Sequence, residues 1–308
     1  MQTEFQGLFP AIITPMTANG ELNEDAYRKV VEFNIQAGVD GFWVAGGTGE
    51  SVLLDDEENY RIAEIVVDQS QGRVKNIMHV GASTTARSAK MAEHAAKVGV
   101  EAICCVPPFF YRRSDEEIVE HYRIIASAAD LPLFLYNLPS ATGVEITLNL
   151  ARKIQEKVPQ LRGLKHSSSA FGNVRAFAKM GLSCLIGNCQ LMLPALTLGA
   201  SGCVDGPPNM VPEYFVEIWH AYQADDLKQA ELAQDKASEV VQQIFTCGGG
   251  FHALAKVVLG QRLEIDCGDP RQPASPLSSR QKDAVSRCLE ALSLDNSGSD
   301  LQNSLAKE

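Results

Sequence analysis

No apolar run in this sequence approaches the roughly 18 residues needed to cross a bilayer, so no transmembrane helix is expected. The opening residues, Met1-Gln2-Thr3-Glu4, also lack the basic and apolar regions of a secretory signal. Basic charge is scarce relative to acidic charge: 27 Lys and Arg against 38 Asp and Glu leave a formal net charge of −11. That balance excludes the basic face that a nucleic acid or an anionic membrane surface would require. A small acidic substrate stays compatible, because a few local donors override the global field. The eight cysteines show no C-x-x-C pairing, and several sit inside apolar segments such as Ala102-Ile103-Cys104-Cys105-Val106. They read as small core residues of a reduced compartment. The six histidines show no metal-ligand spacing. A cytoplasmic, soluble protein without metal or cofactor is therefore expected.

What the sequence does contain is alternation. Short apolar runs at 7–13, 41–45, 75–80, 102–106, 133–136, 161–164, 184–186 and 202–204 predict eight strands. Amphipathic segments at 24–37, 56–70, 84–98, 115–128, 148–158, 174–180, 191–198 and 212–223 predict the helices between them. Ser114 before Asp115-Glu116-Glu117 has the form of an N-cap followed by first-turn carboxylates, and Gly38 and Gly99 follow helices as C-terminal stops. Eight βα units within 224 residues predict an α/β fold of the (β/α)8 TIM barrel type. An open doubly wound sheet is the competitor, but the first βα turn has no G-x-G-x-x-G fingerprint. Segments 227–245, 251–259 and 279–292 predict a C-terminal helical extension over residues 225–294, with Gly248-Gly249-Gly250 as a flexible joint and 295–308 as a frayed polar tail.

In a barrel the chemistry is carried at the C-terminal ends of the strands, so those positions hold the candidates. Lys165 ends the apolar run Leu161-Arg162-Gly163-Leu164. An amine at the end of a buried strand loses hydration, which favours its neutral, nucleophilic form and suits it to condense with a ketone. A solvated strand terminus is the plainer reading of the same position. Gly46-Gly47-Thr48-Gly49-Glu50-Ser51 follows the second strand, and its glycines allow amides to turn inward as an anion nest. It reads equally as an ordinary glycine-rich turn. Tyr136 ends the fifth strand, either packed with its hydroxyl satisfied locally or placed across from the amine to shuttle protons. Alternation along the strand points His166 away from the barrel mouth.

Together these motifs resemble the family of pyruvate-dependent class I aldolases and lyases that includes N-acetylneuraminate lyase and dihydrodipicolinate synthase. The resemblance spans about residues 6 to 292. It rests on Gly46-Gly47-Thr48-Gly49-Glu50, Tyr136-Asn137-x-Pro139 and Gly163-x-Lys165, with Pro10-x-x-x-Thr14-Pro15 and Gly199-Ala200-x-Gly202 in support. It implies that Lys165 forms an imine with a 2-keto acid and that Tyr136 relays protons. It further implies that the Gly47 and Thr48 amides, with the Thr48 hydroxyl, hold the keto acid's carboxylate and that Val204 packs against its methyl or methylene carbon. A homotetramer is the implied assembly.

Departures from the family pattern bear on the substrate. The arginine of the synthases' Y-N-x-P-x-R is Ala141 here, which removes a bidentate carboxylate clamp, and their paired aromatic aligns with Phe109-Phe110, leaving Tyr111 one place away. Dihydrodipicolinate synthesis is accordingly not expected. The sialic-acid lyases' polyol-binding Gly-x-Asp-Glu becomes Gly187-Asn188-Cys189-Gln190, and the serine after the eighth strand becomes Gly206. Asn188, Cys189, Gln190 and Gly206 are thus the candidates for the aldehyde side, with Asp205 either a substitute carboxylate or a cap. The leading expectation is a lysine-imine lyase that cleaves a 2-keto-3-deoxy sugar acid, or a related 4-hydroxy-2-keto acid, to pyruvate and an aldehyde. N-acetylneuraminate is the first substrate to try. A sugar-acid dehydratase using the same imine and a non-catalytic keto-acid-binding barrel are the alternatives, and a metal-dependent aldolase ranks lowest.

Overall fold

The computed structural model describes residues 4–294. Eight parallel strands, β1 (Gly7–Leu8), β2 (Gly41–Val44), β3 (Lys75–His79), β4 (Ala102–Cys105), β5 (Leu133–Asn137), β6 (Leu161–His166), β7 (Ser183–Ile186) and β8 (Gly202–Cys203), follow one another round a single sheet. The order β1-β8-β7-β6-β5-β4-β3-β2 closes through an Ala11↔Trp43 bridge, giving a (β/α)8 barrel. Expected strand positions agree with these, except that the first is much shorter than 7–13. Pro10 has no amide hydrogen to continue a ladder; beyond Leu8 the chain is held by single bonds, Phe9 N to the Cys203 carbonyl (2.9 Å) and Ala11 N to that of Asp205 (2.9 Å).

Strand periodicity sorts the side chains into two cores. Phe5, Phe9, Trp43, Ile77, Phe134 and Leu185 point inward and fill the barrel, while Phe42, Val44, Met78, Ile103, Leu135 and Leu164 point outward under the helices. The inner rings meet edge to face, Phe5 with Phe134 at 5.1 Å and Trp43 with Phe134 at 6.4 Å, and so fill the lower part of the barrel interior.

Helices fall close to where amphipathic periodicity predicts them, and several of their starts are capped by side chains. Asp55 and Ser114 each complete a capping box, with Glu58 and Glu117, and Thr84 and Thr147 accept amide hydrogens at two further starts. Gly99 ends the helix Thr85–Val98 at φ +95°, a conformation that disfavours any side chain. The C-terminal helices are Leu227–Phe245, Phe251–Leu263 and Ser279–Ala291. Leu254, Leu259 and Val285 belong to the same outer core as the barrel helices. The triglycine forms a turn with positive φ at Gly248 and Gly249, the latter lying against Leu277. Residues 295–308, expected to be a frayed tail, lie outside the described residues.

Candidate active site

Lys165 and Tyr136 are direct partners in the register between β5 and β6, so both side chains project into the barrel at the same height. Lys165 lies within β6 and is succeeded by His166, where the run 161–164 predicted that the strand would end before it. Both residues are buried, at 4% and 5% exposure. The Lys165 Nζ sits 4.6 Å from the centre of the Tyr136 ring and 5.5 Å from that of Trp43. Gly163, one inward position below, is bare because a Cβ there would strike the Phe134 ring and the Ser183 carbonyl. The glycine of G-x-K is therefore what lets an aromatic floor lie directly under the amine.

The glycine-rich loop arrives from β2. Gly46 passes against the Trp43 indole, with room for a Cβ lacking (2.7 Å to Cδ1), and a Cβ at Gly47 would stand 3.6 Å from the Tyr136 hydroxyl. Neither the Gly47 nor the Thr48 amide donates to any described residue, so both are available to an anion. The loop is fixed from behind. Thr14 donates to the Gly49 carbonyl at 2.7 Å, and Glu50, at φ +61°, is buried with Lys256 in an ion pair of 2.8 Å. The Glu50 carboxylate also accepts the Arg271 amide at 2.6 Å, and His252 Nε2 lies 2.9 Å from the Gly47 carbonyl. The helical extension thus props the loop, a role with no signal in the sequence beyond one lysine within the apolar stretch Ala255-Lys256-Val257.

Val204 closes the inner face beside Trp43 and Tyr136, fully buried. Gly206 follows it and meets the loop: a Cβ there would overlap the Phe251 ring and stand 3.0 Å from the Thr48 hydroxyl. Lys165, Tyr136, Gly47, Thr48, Val204 and Gly206 are therefore brought to one end of the barrel. The other three candidates follow β7 at the same end but do not line the cavity beside Tyr136. Asn188 and Gln190 are exposed, and the Asn188 side-chain oxygen is taken up by the Gln190 backbone N–H at 3.1 Å. Cys189 differs from its expected place as a polar handle on the substrate. It is buried in the outer core, where burial and the adjacent Asp205 carboxylate hold its thiol well above the ordinary range. Asp205 spends both oxygens on backbone, accepting from Cys189 N and Gly206 N at 2.8 Å each, and so ties the β7 and β8 loops together as a cap.

His166 points outward against Phe177, its Nε2 3.1 Å from the Ala170 carbonyl and its Nδ1 3.2 Å from the Asn137 amide. Asn137 also reaches Glu145 at 2.9 Å and accepts the Ile146 amide at 2.9 Å, so the asparagine of Y-N-x-P locks the loop beyond β5. His79 is a neighbour that sequence reasoning missed. It ends β3 on the inner face, edge-on to Tyr136 at 6.1 Å, with Nδ1 3.2 Å from the Ser51 hydroxyl. Burial, helped by the charge of Lys165, pulls its imidazole down to about 4, so it stands neutral beside the phenol. Strand alternation from Ile77 would have found it.

A cavity of about 280 Å³ opens beside the Tyr136 phenol, bounded by Gly47, Ser51, His79, Leu138, Ala141 and others. A larger one, about 790 Å³, lies between residues 16–20 and 256–272 and contains none of the candidate residues.

The chain matches the model of the dihydrodipicolinate synthetase family over residues 4–292. It is 32% identical over 289 residues to a 4-hydroxy-tetrahydrodipicolinate synthase of Syntrophus aciditrophicus, covering 93% of this chain and 98% of the relative. It is 31% identical over 295 residues to N-acetylneuraminate lyase 2 of Escherichia coli, covering 95% and 96%. Similarity of this size does not separate the synthase from the lyase. A sialic acid aldolase structure from Ruminococcus gnavus, a catalytic lysine mutant, superposes with a TM-score of 0.89 over 96% of this chain and all of the other. At 22% identity that likeness bears on the fold alone.

Proposed function

Since the chain belongs to the dihydrodipicolinate synthetase family, whose members are class I pyruvate-dependent aldolases and lyases, we propose that it cleaves a 2-keto-3-deoxy sugar acid, or a related 4-hydroxy-2-keto acid, to pyruvate and an aldehyde through an imine on Lys165. The observation that carries this reading is the pairing of Lys165 with Tyr136 across β5 and β6, beside amides of Gly47 and Thr48 that face no other partner.

The chemistry balances with these groups alone. Lys165 attacks C2, and the resulting carbinolamine loses its hydroxyl as water when the phenol of Tyr136 supplies the proton. The phenolate then takes the proton of the C4 hydroxyl as the C3–C4 bond breaks, its electrons passing to the iminium nitrogen, and the aldehyde departs. Returning that proton to C3 gives the pyruvate imine. Water adds to C2, giving its spare proton back to the phenolate, and pyruvate leaves with the amine restored. The Gly47 and Thr48 amides hold the carboxylate throughout, and Val204 packs on C3. Synthesis of dihydrodipicolinate is not the reading favoured, because Ala141, bordering the cavity, offers no cation to a second carboxylate.

The exposed aromatics Phe110, 86% accessible, and Tyr111 fit burial against another copy, in a homotetramer. Eight free cysteines fit a reducing cytoplasm. Among the described residues no helix is long and apolar enough to cross a membrane.

Incubation with pyruvate and borohydride should leave one reduced pyruvyl group on the peptide carrying Lys165, and none in Lys165→Ala. An unmodified Lys165 in the parent protein would overturn the reading.

A further inference from the structure

The cavity beside Tyr136 is walled by Val52, Leu53, Val106, Phe109, Leu138 and Ala141. Polar groups do border it, but the structure has already spent them. Glu50 is held by Lys256 and by the Arg271 amide. The Ser51 hydroxyl is 3.2 Å from His79 Nδ1, the Thr142 hydroxyl donates to the Leu138 carbonyl at 3.0 Å, and His252 Nε2 sits 2.9 Å from the Gly47 carbonyl. Apart from the Gly47 amide, given above to the keto acid's carboxylate, what remains is the Tyr136 hydroxyl, which no described residue engages, and His79 Nε2, a buried atom without a partner among the described residues. Two polar atoms suit one hydroxyl and its reacting carbon. They do not suit a polyol, whose further hydroxyls would leave water for apolar walls without regaining hydrogen bonds.

A second observation points the same way. The Phe251 ring fills the space that a side chain at position 206 would occupy, so an aromatic edge stands where a hydroxyl-bearing residue would otherwise face the substrate. The volume of about 280 Å³ exceeds the roughly 150 Å³ that accommodates a benzene-sized group.

We infer that the aldehyde half of the substrate is apolar: the enzyme forms and cleaves 4-hydroxy-2-keto acids bearing an alkyl or aryl group on C4, and its acceptor aldehydes are of the aliphatic or aromatic class. This rests on the lysine-imine reading above and narrows its substrates to the 4-hydroxy-2-keto acids whose C4 substituent is apolar, leaving out the sugar acids. The C4 hydroxyl meets the phenol and His79 Nε2, and the alkyl or aryl group lies along Leu138, Val106 and Phe109.

The test is condensation of pyruvate with a panel of aldehydes on the full chain, with product read by mass spectrometry: hexanal and benzaldehyde against glyceraldehyde and N-acetylmannosamine. The apolar acceptors should exceed the polyols at least tenfold in kcat/KM, the discrimination expected from burying even one methylene. In Ala141→Gln, at an exposed position of the rim, the ratio of apolar to polyol rates should fall at least tenfold. Polyol acceptors equal to or better than hexanal, in a protein that still forms the borohydride adduct on Lys165, would overturn this inference and leave the imine reading standing. Absence of the adduct would overturn both.

Discussion

Replacing Lys256 by Met probes how the C-terminal helices hold the glycine-rich loop after β2. Lys256 and Glu50 are each 1% exposed and stand 2.8 Å apart. The lysine also donates to the Asp269 carbonyl at 3.0 Å. Methionine fills nearly the same volume, so packing is little changed, but it strands a buried carboxylate whose remaining bond is to the Arg271 amide. Breaking a buried pair from one side typically costs about 3–5 kcal/mol, because the surviving charge keeps its desolvation penalty without its partner. Glu50 meanwhile holds φ +61°, a conformation that itself costs on the order of 1 kcal/mol and is kept only by the surrounding contacts.

Urea unfolding followed by far-UV circular dichroism should therefore show Lys256→Met less stable by about 3–5 kcal/mol. The KM for pyruvate in the trapping reaction should rise with it, since the Gly47 and Thr48 amides hang from the same loop. The double variant Lys256→Met with Glu50→Gln removes both charges and still lets an amide carbonyl accept the Arg271 N–H. It should recover a large part of the loss, so that the two changes are strongly non-additive. A Lys256→Met protein destabilised by less than about 1 kcal/mol, with the denaturant slope unchanged, would refute the argument that this pair is what anchors the loop.

Three further outcomes are expected. Tyr136→Phe should lower kcat by roughly 10²–10⁴-fold, the usual worth of a positioned proton donor and acceptor, and a loss under tenfold in steady-state turnover would remove the phenol from the relay. Gly206→Ser should destabilise by about 1–3 kcal/mol, because its Cβ overlaps the Phe251 ring; in a Phe251→Ala background the serine should add little further cost, and thermal melts in which it costs as much there as in the parent would contradict the assigned clash. His79 and His121 stand at about 4 in the fold against 6.5 as ordinary histidines. Between those values the unfolded chain binds protons that the folded chain does not, so stability is full above about pH 6.5 and is lost as pH falls toward 4. The loss should be on the order of 3 kcal/mol for each, and urea midpoints that fall equally in His79→Gln and in the parent across this window would exclude His79 as a source.

How much of this was readable beforehand follows from how local each feature is. Alternating apolar runs and amphipathic segments are properties of contiguous sequence, and the eight-unit barrel follows from them. That Lys165, Tyr136 and the Gly47-Thr48 turn would meet was legible for the same reason, since strand ends in a barrel converge on one face. The first strand was over-extended because an apolar run says nothing of hydrogen bonding, and Pro10 interrupts the ladder that the run suggests. Cys189 was misplaced because a residue beyond a strand end can turn either way, and here the Asn188 cap and the Asp205 carboxylate turn its thiol into the outer core.

The aldehyde side resisted reading for a deeper reason. Its character depends on which polar groups are already spent, and the partners that spend them lie far off in sequence: Lys256 and Arg271 on Glu50, His252 on Gly47, Phe251 on Gly206. All four arise from the extension after the barrel, which in the sequence read as an appendage to the catalytic unit. Counting the polar residues near the mouth suggests a site hospitable to hydroxyls, and only their pairing reveals apolar walls with two unclaimed polar atoms. On the proposed reading the keto-acid half is thus written in the strand ends, whereas the selectivity of the other half is set by helices that form no part of the barrel.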